Sequence, residues 1–253
     1  MKNAAYLVLS CFLGFLAAPQ ASAKDLILEQ KTTVAGVGER AGESTQYWTP
    51  AMMIVDEPGV RVIVDFATEK LTQIDKTNKN YLTLTFDQML AQMDASREDL
   101  AKRTGDYPPE AKKALEGMGE DIGDKNSPVD VKPTGKHDKI AGYDTDEYTF
   151  SGNAGTGTFW VSKALPLPLG PKELKAFRKS MDGMKGPGRL FALAMTQVNG
   201  IPLRTELKVN LGPQGTTTTN EVVAVREASP PAEMITVPEG YNLIKVPDAP
   251  AAK

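Results

Sequence analysis

The chain has 253 residues, 41% of them hydrophobic, and its 29 basic and 32 acidic side chains give a net charge of −3. That mild acidity excludes the strongly basic footprint of a nucleic-acid-binding protein. One cysteine, Cys11, and one histidine, His137, leave no disulfide framework and no histidine- or cysteine-rich zinc site.

Residues 1–23 carry the pattern of an export signal: Lys2, an apolar run from Ala4 to Ala18, then Ala21-Ser22-Ala23 with small residues before a cut after Ala23. The run is too short to span a membrane, and no later stretch reaches the roughly 18 apolar residues a spanning helix needs. The mature chain is therefore expected to be periplasmic and soluble, with no transmembrane segment, away from cytosolic ATP and reduced nicotinamide. Lipid attachment at Cys11 is disfavoured, because cutting after Val8-Leu9-Ser10 leaves too brief an apolar segment.

From Asp25 to Phe86 the pattern predicts an antiparallel meander. Val62, Val64 and Phe66 alternate with Ile63 and Asp65, and Leu82, Leu84 and Phe86 alternate with Thr83 and Thr85, the period of two that half-buries a strand. Glu57-Pro58-Gly59, Ala67-Thr68-Glu69 and Asp75 to Asn80 supply the turns. At Asp87 the period changes to that of a helix, with Asp87 as its cap and Met89, Met93 and Leu100 on one face. Pro108-Pro109 opens a second helix through Ala111, Ala114, Leu115 and Met118, and Gly119 to Lys139 reads as a polar loop or weak strand.

Strands resume near Tyr143 with the short alternation of Tyr148 and Phe150, turn at Gly152 to Gly155, and continue over Thr156 to Lys163. After a stiff Pro166 to Pro171 link, Leu174, Phe177, Met181 and Met184 fall at helical spacing, and Gly186-Pro187-Gly188 ends that helix. Arg189 to Val198 is apolar and too short to assign to helix or strand. Leu203, Thr205, Leu207, Val209 and Leu211 alternate with polar residues, and Thr216 to Arg226 is the partner strand. The count is nine to eleven strands with two helical interruptions. It implies an α+β fold, a strongly curved antiparallel sheet with helices covering its concave side. The expected layout is one domain over residues 24–246 and a flexible Pro/Ala tail over 247–253.

No motif of chemistry stands out. A nucleophile–base pair, a Gly-x-Ser-x-Gly elbow, a phosphate-cradling lysine loop and a His-Glu-x-x-His helix are all missing from the sequence. His137 sits in a polar stretch, where an exposed loop histidine is the simpler reading than a general base. Glu120/Asp121 and Asp144/Asp146 read as solvated turns. Met89/Met93 and Met181/Met184 read as core rather than a copper site, and the basic face from Lys172 to Lys185 as the wet side of a packed helix. The expectation is no catalytic residue, no metal and no cofactor. What remains is an apolar trough on the inner face of the sheet, formed by Val62, Val64, Phe66, Leu82, Leu84, Tyr148, Phe150, Leu203 and Leu207.

Three segments together resemble a known family: Arg61 to Asp65 with Gln73 to Tyr81, Ile140-Ala141-Gly142-Tyr143 through Thr158 to Ser162, and Gly200-Ile201-Pro202-Leu203 through Val237-Pro238-Glu239-Gly240-Tyr241. In this order they resemble an exported bacterial domain of unknown function, similar to outer-membrane lipoprotein carriers of the LolA/LolB type, over most of residues 25 to 246. The resemblance implies an incomplete, strongly bent antiparallel barrel closed by helices, with a lipid or a lipoprotein's acyl chain as ligand and no catalytic residues. The polar insert from Gly119 to Lys139 and the Pro/Ala tail depart from the carriers. The functional expectation is a non-enzymatic periplasmic protein that binds a lipid or acylated ligand. Its rival is an envelope scaffold with a filled core and a protein partner.

Overall fold

The computed structural model describes residues 24–36, 40–103, 128–152, 155–182, 186–209 and 215–245. The expected export signal, the second helix expected from Pro108 to Met118, the first part of the polar insert (119–127) and the Pro/Ala tail lie outside them.

Twelve strands form one unclosed sheet, antiparallel except at one edge. The first six are β1 (Leu26–Gly36), β2 (Arg40–Trp48), β3 (Met52–Asp56), β4 (Val60–Asp65), β5 (Lys70–Asp75) and β6 (Asn80–Thr85). They run as a meander and lead into helix α1 (Phe86–Arg103). A second meander comprises β7 (Asp130–Ile140), β8 (Tyr143–Gly152), β9 (Gly155–Ser162), β10 (Ile201–Val209) and β11 (Thr216–Glu227). Helices α2 (Pro171–Asp182) and α3 (Gly186–Met195) are inserted between β9 and β10, and β12 (Asn242–Leu243) closes the chain order. The two meanders join where β11 pairs with β1, so the order across the sheet is β12-β6-β5-β4-β3-β2-β1-β11-β10-β9-β8-β7.

Local chemistry explains the joints. Asp65 accepts hydrogen bonds from the Ala67 and Thr68 amides, and Asp75 accepts from those of Thr77 and Asn78. Each turn ends on a left-handed residue, Glu69 or Lys79, both at φ 52°. Helix α1 is capped by Thr85 rather than Asp87. The Thr85 hydroxyl accepts from the Gln88 amide at 3.1 Å, and the Gln88 side chain accepts from the Thr85 amide at 2.9 Å. This reciprocal box satisfies two otherwise orphaned donors and leaves Asp87 in the first turn, where its charge suits the helix dipole.

Two open readings are resolved and one expectation changes. Of the alternatives loop or weak strand, Asp130 to Ile140 takes the strand, because its backbone ladders onto β8 despite an irregularity between Pro133 and His137, where Gly135 takes φ +79°. Arg189 to Val198 resolves as the body of a helix ending at Met195. Among the described residues the strand count is twelve rather than nine to eleven, since the polar β7 and the two-residue β12 lack the alternation by which strands are recognised.

Candidate ligand-binding cavity

Register sorts the side chains onto two faces. One row across the first meander runs Leu26, Trp48, Met53, Val64, Leu71, Leu84, and the next Leu28, Gln46, Val55, Val62, Gln73, Leu82. The second meander continues the same face through Tyr148, Phe159, Thr205, Asn220 and Thr32, and through Phe150, Gly157, Leu207, Thr218 and Val34. Helices α2 and α3 cover this face. Phe177 of α2 meets Phe66 edge-on at 5.6 Å between ring centroids, and Phe191 of α3 meets Phe159 at 5.4 Å.

Both helices are placed by their sequence. Pro171 occupies the first position of α2, where a missing N–H costs nothing, and Glu173 and Lys179 complement its two ends. The buried Ser180 is satisfied by donating to the Phe177 carbonyl at 2.8 Å. Each helix presents a phenylalanine and a methionine four residues apart, Phe177/Met181 and Phe191/Met195, to the same space.

That space is a cavity of about 300 Å³ between the helices and the strands β1, β2, β3, β10 and β11. Its walls are mostly apolar: Leu28, Trp48, Met53 and Val55 from the sheet, Leu167 from the link, and the two Phe/Met pairs from the helices. One end is polar, with Gln30, Gln46, Thr205 and Asn220. The Gln46 amide donates to Gln30 Oε1 at 3.1 Å, the Trp48 indole donates to Gln46 Oε1 at 3.1 Å, and the Thr32 hydroxyl donates to Asn220 Oδ1 at 2.7 Å.

The nine trough residues are distributed around this cavity. Val62, Val64, Leu82, Leu84, Tyr148, Phe150 and Leu207 stand on the face just described, Phe66 follows β4, and Leu203 sits at the β10 bulge among Leu26, Leu28, Leu165 and Ile201. None of the nine is among the cavity's lining residues. Val64 and Phe66 pack under Phe177, and Phe150 stacks on Phe159 at 4.3 Å. The residues that do line it and that strand alternation does not mark, such as Leu28, Gln30, Trp48 and Met53, come from β1 to β3. Their one legible signal is uninterrupted apolarity, Leu26-Ile27-Leu28 and Met52-Met53-Ile54-Val55, which marks burial on both faces.

A wider, water-exposed depression of about 670 Å³ lies over His137, Asp146 and Lys163. His137 Nδ1 is 2.7 Å from Asp146 Oδ1, and Lys163 reaches the other carboxylate oxygen at 2.6 Å. The hydrogen bonds from Lys163 and then His137 hold the Asp146 carboxyl below its ordinary range, and the same contact raises Lys163. His137 is 74% exposed, so this is a solvated pair on the rim of β7 and β8. No group of three or more potential metal-ligating side chains occurs among the described residues, and no helix among them is long and apolar enough to cross a membrane.

The family profile of the domain of unknown function DUF4412 matches residues 111–241, about half of the chain. The chain belongs to the DUF4412 family. No curated protein matches it in sequence. Among solved structures, the DUF4412 chain aligns with PNGF-II at 13% identity and a TM-score of 0.41, over 87% of its own length and 30% of that protein's. It therefore spans less than a third of the PNGF-II chain. A LolA superfamily protein of Nitrosomonas europaea aligns at 8% identity and a TM-score of 0.30, covering 85% of this chain and 90% of that one. A chain of the Pseudomonas aeruginosa MucA/MucB complex aligns at 10% identity and a TM-score of 0.33, covering 89% and 60%. All three scores fall below 0.5, so function has to be read from the DUF4412 chain's own geometry.

Proposed function

We propose that this chain is a non-enzymatic binding protein of the periplasm, exported by its first 23 residues, that holds a lipid or other acylated ligand between its sheet and helices α2 and α3. The observation that carries the reading is the 300 Å³ apolar cavity. Each methylene buried there contributes about 0.8 kcal/mol, so a medium chain binds without any reactive group. Curvature of the sheet about this face belongs to the same reading. Phe66 and Phe159 come from opposite flanks, six strand steps of about 4.8 Å apart if the sheet were flat, yet their partners Phe177 and Phe191 wall one small cavity. The helices then lie in the hollow and act as its movable cover.

A second reading, an envelope scaffold with a filled core, draws support from the dense packing of Phe66, Phe150 and Leu203, each nearly without exposure. One experiment separates the two. Native mass spectrometry of protein purified from the envelope is expected to retain a lipid mass, and N-phenyl-1-naphthylamine is expected to brighten on binding. A bare polypeptide mass with no probe binding sinks the carrier reading and leaves the scaffold.

A further inference from the structure

The polar end of the cavity narrows the ligand class, an inference that rests on the binding reading above. Two properties of this end matter, its charge and the direction of its hydrogen bonds. None of its lining residues is charged among the described residues. Arg189, beside the lining Gly188, is engaged in an interaction of its own. An ion entering here loses its hydration without gaining a counter-charge, a severe cost, whereas a neutral polar group loses little if it is hydrogen-bonded.

The amide side chains are also oriented. Gln30 Oε1 is taken by Gln46, Gln46 Oε1 by Trp48, and Asn220 Oδ1 by Thr32. Each of these oxygens thereby already accepts one hydrogen bond and the Thr205 hydroxyl can act either way, while the amide nitrogens of Gln30 and Asn220 donate to no partner among the described residues. The balance at this end favours an incoming acceptor. A carbonyl oxygen without charge, as in an ester or a secondary amide, answers both conditions. A carboxylate satisfies the donors and violates the charge condition, and an ammonium group violates both.

Volume sets the rest. At about 30 Å³ for each liquid-packed group the size of a water molecule, 300 Å³ holds about ten groups. That is one medium acyl chain with its carbonyl, and too little for two chains side by side.

From this geometry we infer that the ligand is a single acyl chain joined through a neutral ester or amide, its carbonyl at Gln30 and Asn220 and its tail between Phe177, Met181, Phe191 and Met195. Displacement of N-phenyl-1-naphthylamine from the full mature chain at pH 8 tests it, with N-methyldecanamide, decanoate and decyltrimethylammonium as competitors. The amide is expected to displace the probe at concentrations at least tenfold lower than either ion. Leucine at both positions, Gln30→Leu with Asn220→Leu, is expected to shrink that gap to threefold or less while the probe still binds. Should that pair fail to fold, Gln30→Glu alone is expected to reverse the order and favour the cation.

Decanoate competing as well as the amide, or Gln30→Glu keeping the original order, overturns the neutral-carbonyl assignment while the binding reading stands. Failure of the probe and every competitor to bind overturns the binding reading itself. Affinity in the N-methylamide series is expected to level off near ten to twelve carbons, and a rise continuing to eighteen overturns the medium-chain limit set by the volume.

Discussion

The two faces of the first meander are built from alternating residues of the same strands, yet one is closed and the other holds a cavity. On the closed face Ile27, Tyr47, Ile54, Ile63 and Ile74 are covered by the C-terminal segment, whose Met234, Val237 and Tyr241 lie against them. That segment is fixed at both ends. The buried Arg61 donates to the Glu233 carbonyl at 2.7 Å while paired with Asp56, and β12 hydrogen-bonds along the β6 edge, Asn242 to Lys79 at 2.9 Å and Ile244 to Tyr81 at 2.7 Å. The other face is covered by two helices that touch the sheet mainly through aromatic contacts at its flanks. An extended segment follows the contour of a sheet and fills it, whereas rigid helices bridge it and leave space beneath.

Truncations should separate the faces most sharply. Ile54→Ala, at a side chain without exposure, is expected to cost about 2–5 kcal/mol. The neighbouring Met53→Ala, on the partly buried cavity wall, is expected to cost on the order of 1 kcal/mol, because cavity already adjoins it. Equal losses in urea midpoints would erase the distinction. Next, Arg61→Ala is expected to cost about 2–3 kcal/mol and to speed amide exchange over residues 232–245 before the rest of the sheet. Uniform exchange would mean that the segment is held by packing alone.

Acid should act on the closed face first. Burial alone would raise the Asp56 carboxyl, but hydrogen bonds from Lys76 and Arg61 outweigh it and hold the group below its ordinary value. A depressed carboxylate contributes stability in full above its unfolded pKa of about 4, and that stability is lost as pH falls through the lower folded value. The urea midpoint of the native chain is expected to fall below pH 4 more steeply than that of Asp56→Asn. Asp75, Asp138 and Asp146 shift in the same direction but stand in solvent, where screening leaves them little weight. The smallest effect on stability belongs to Ala192→Leu at the cavity wall. It is expected to change stability by less than about 1 kcal/mol and to weaken probe binding at least tenfold. A large stability loss with unchanged binding would place the ligand elsewhere.

Most of the strand and helix pattern is legible in the sequence because alternation and helical spacing are local properties. Val62, Val64, Leu82 and Leu84 can be placed on one side by counting in twos, and register agrees. The same counting treats Ile63 as the outward residue, but Ile63 is buried under Met234, Val237 and Tyr241 from the far end of the chain, which no local period reports. The cavity is hidden for a related reason. Its polar end is assembled from Gln30, Gln46 and Asn220, unremarkable in their own strands and brought together only when β11 returns to β1. Strand β7 is legible only as one of two alternatives, loop or weak strand, since its proline, glycine and charges are what an edge tolerates and a central strand does not.

That edge has a consequence for life at high protein concentration. An open sheet offers two rows of unpaired backbone groups to any neighbour, the template from which fibrous aggregates grow. Here one border is finished by a two-residue strand. The other carries Lys132, Pro133, Lys136 and Lys139 across a ladder broken between Pro133 and His137. Straight, in-register addition of a second copy meets repulsion and a missing donor at that border, so the sheet can stay unclosed without inviting polymerisation.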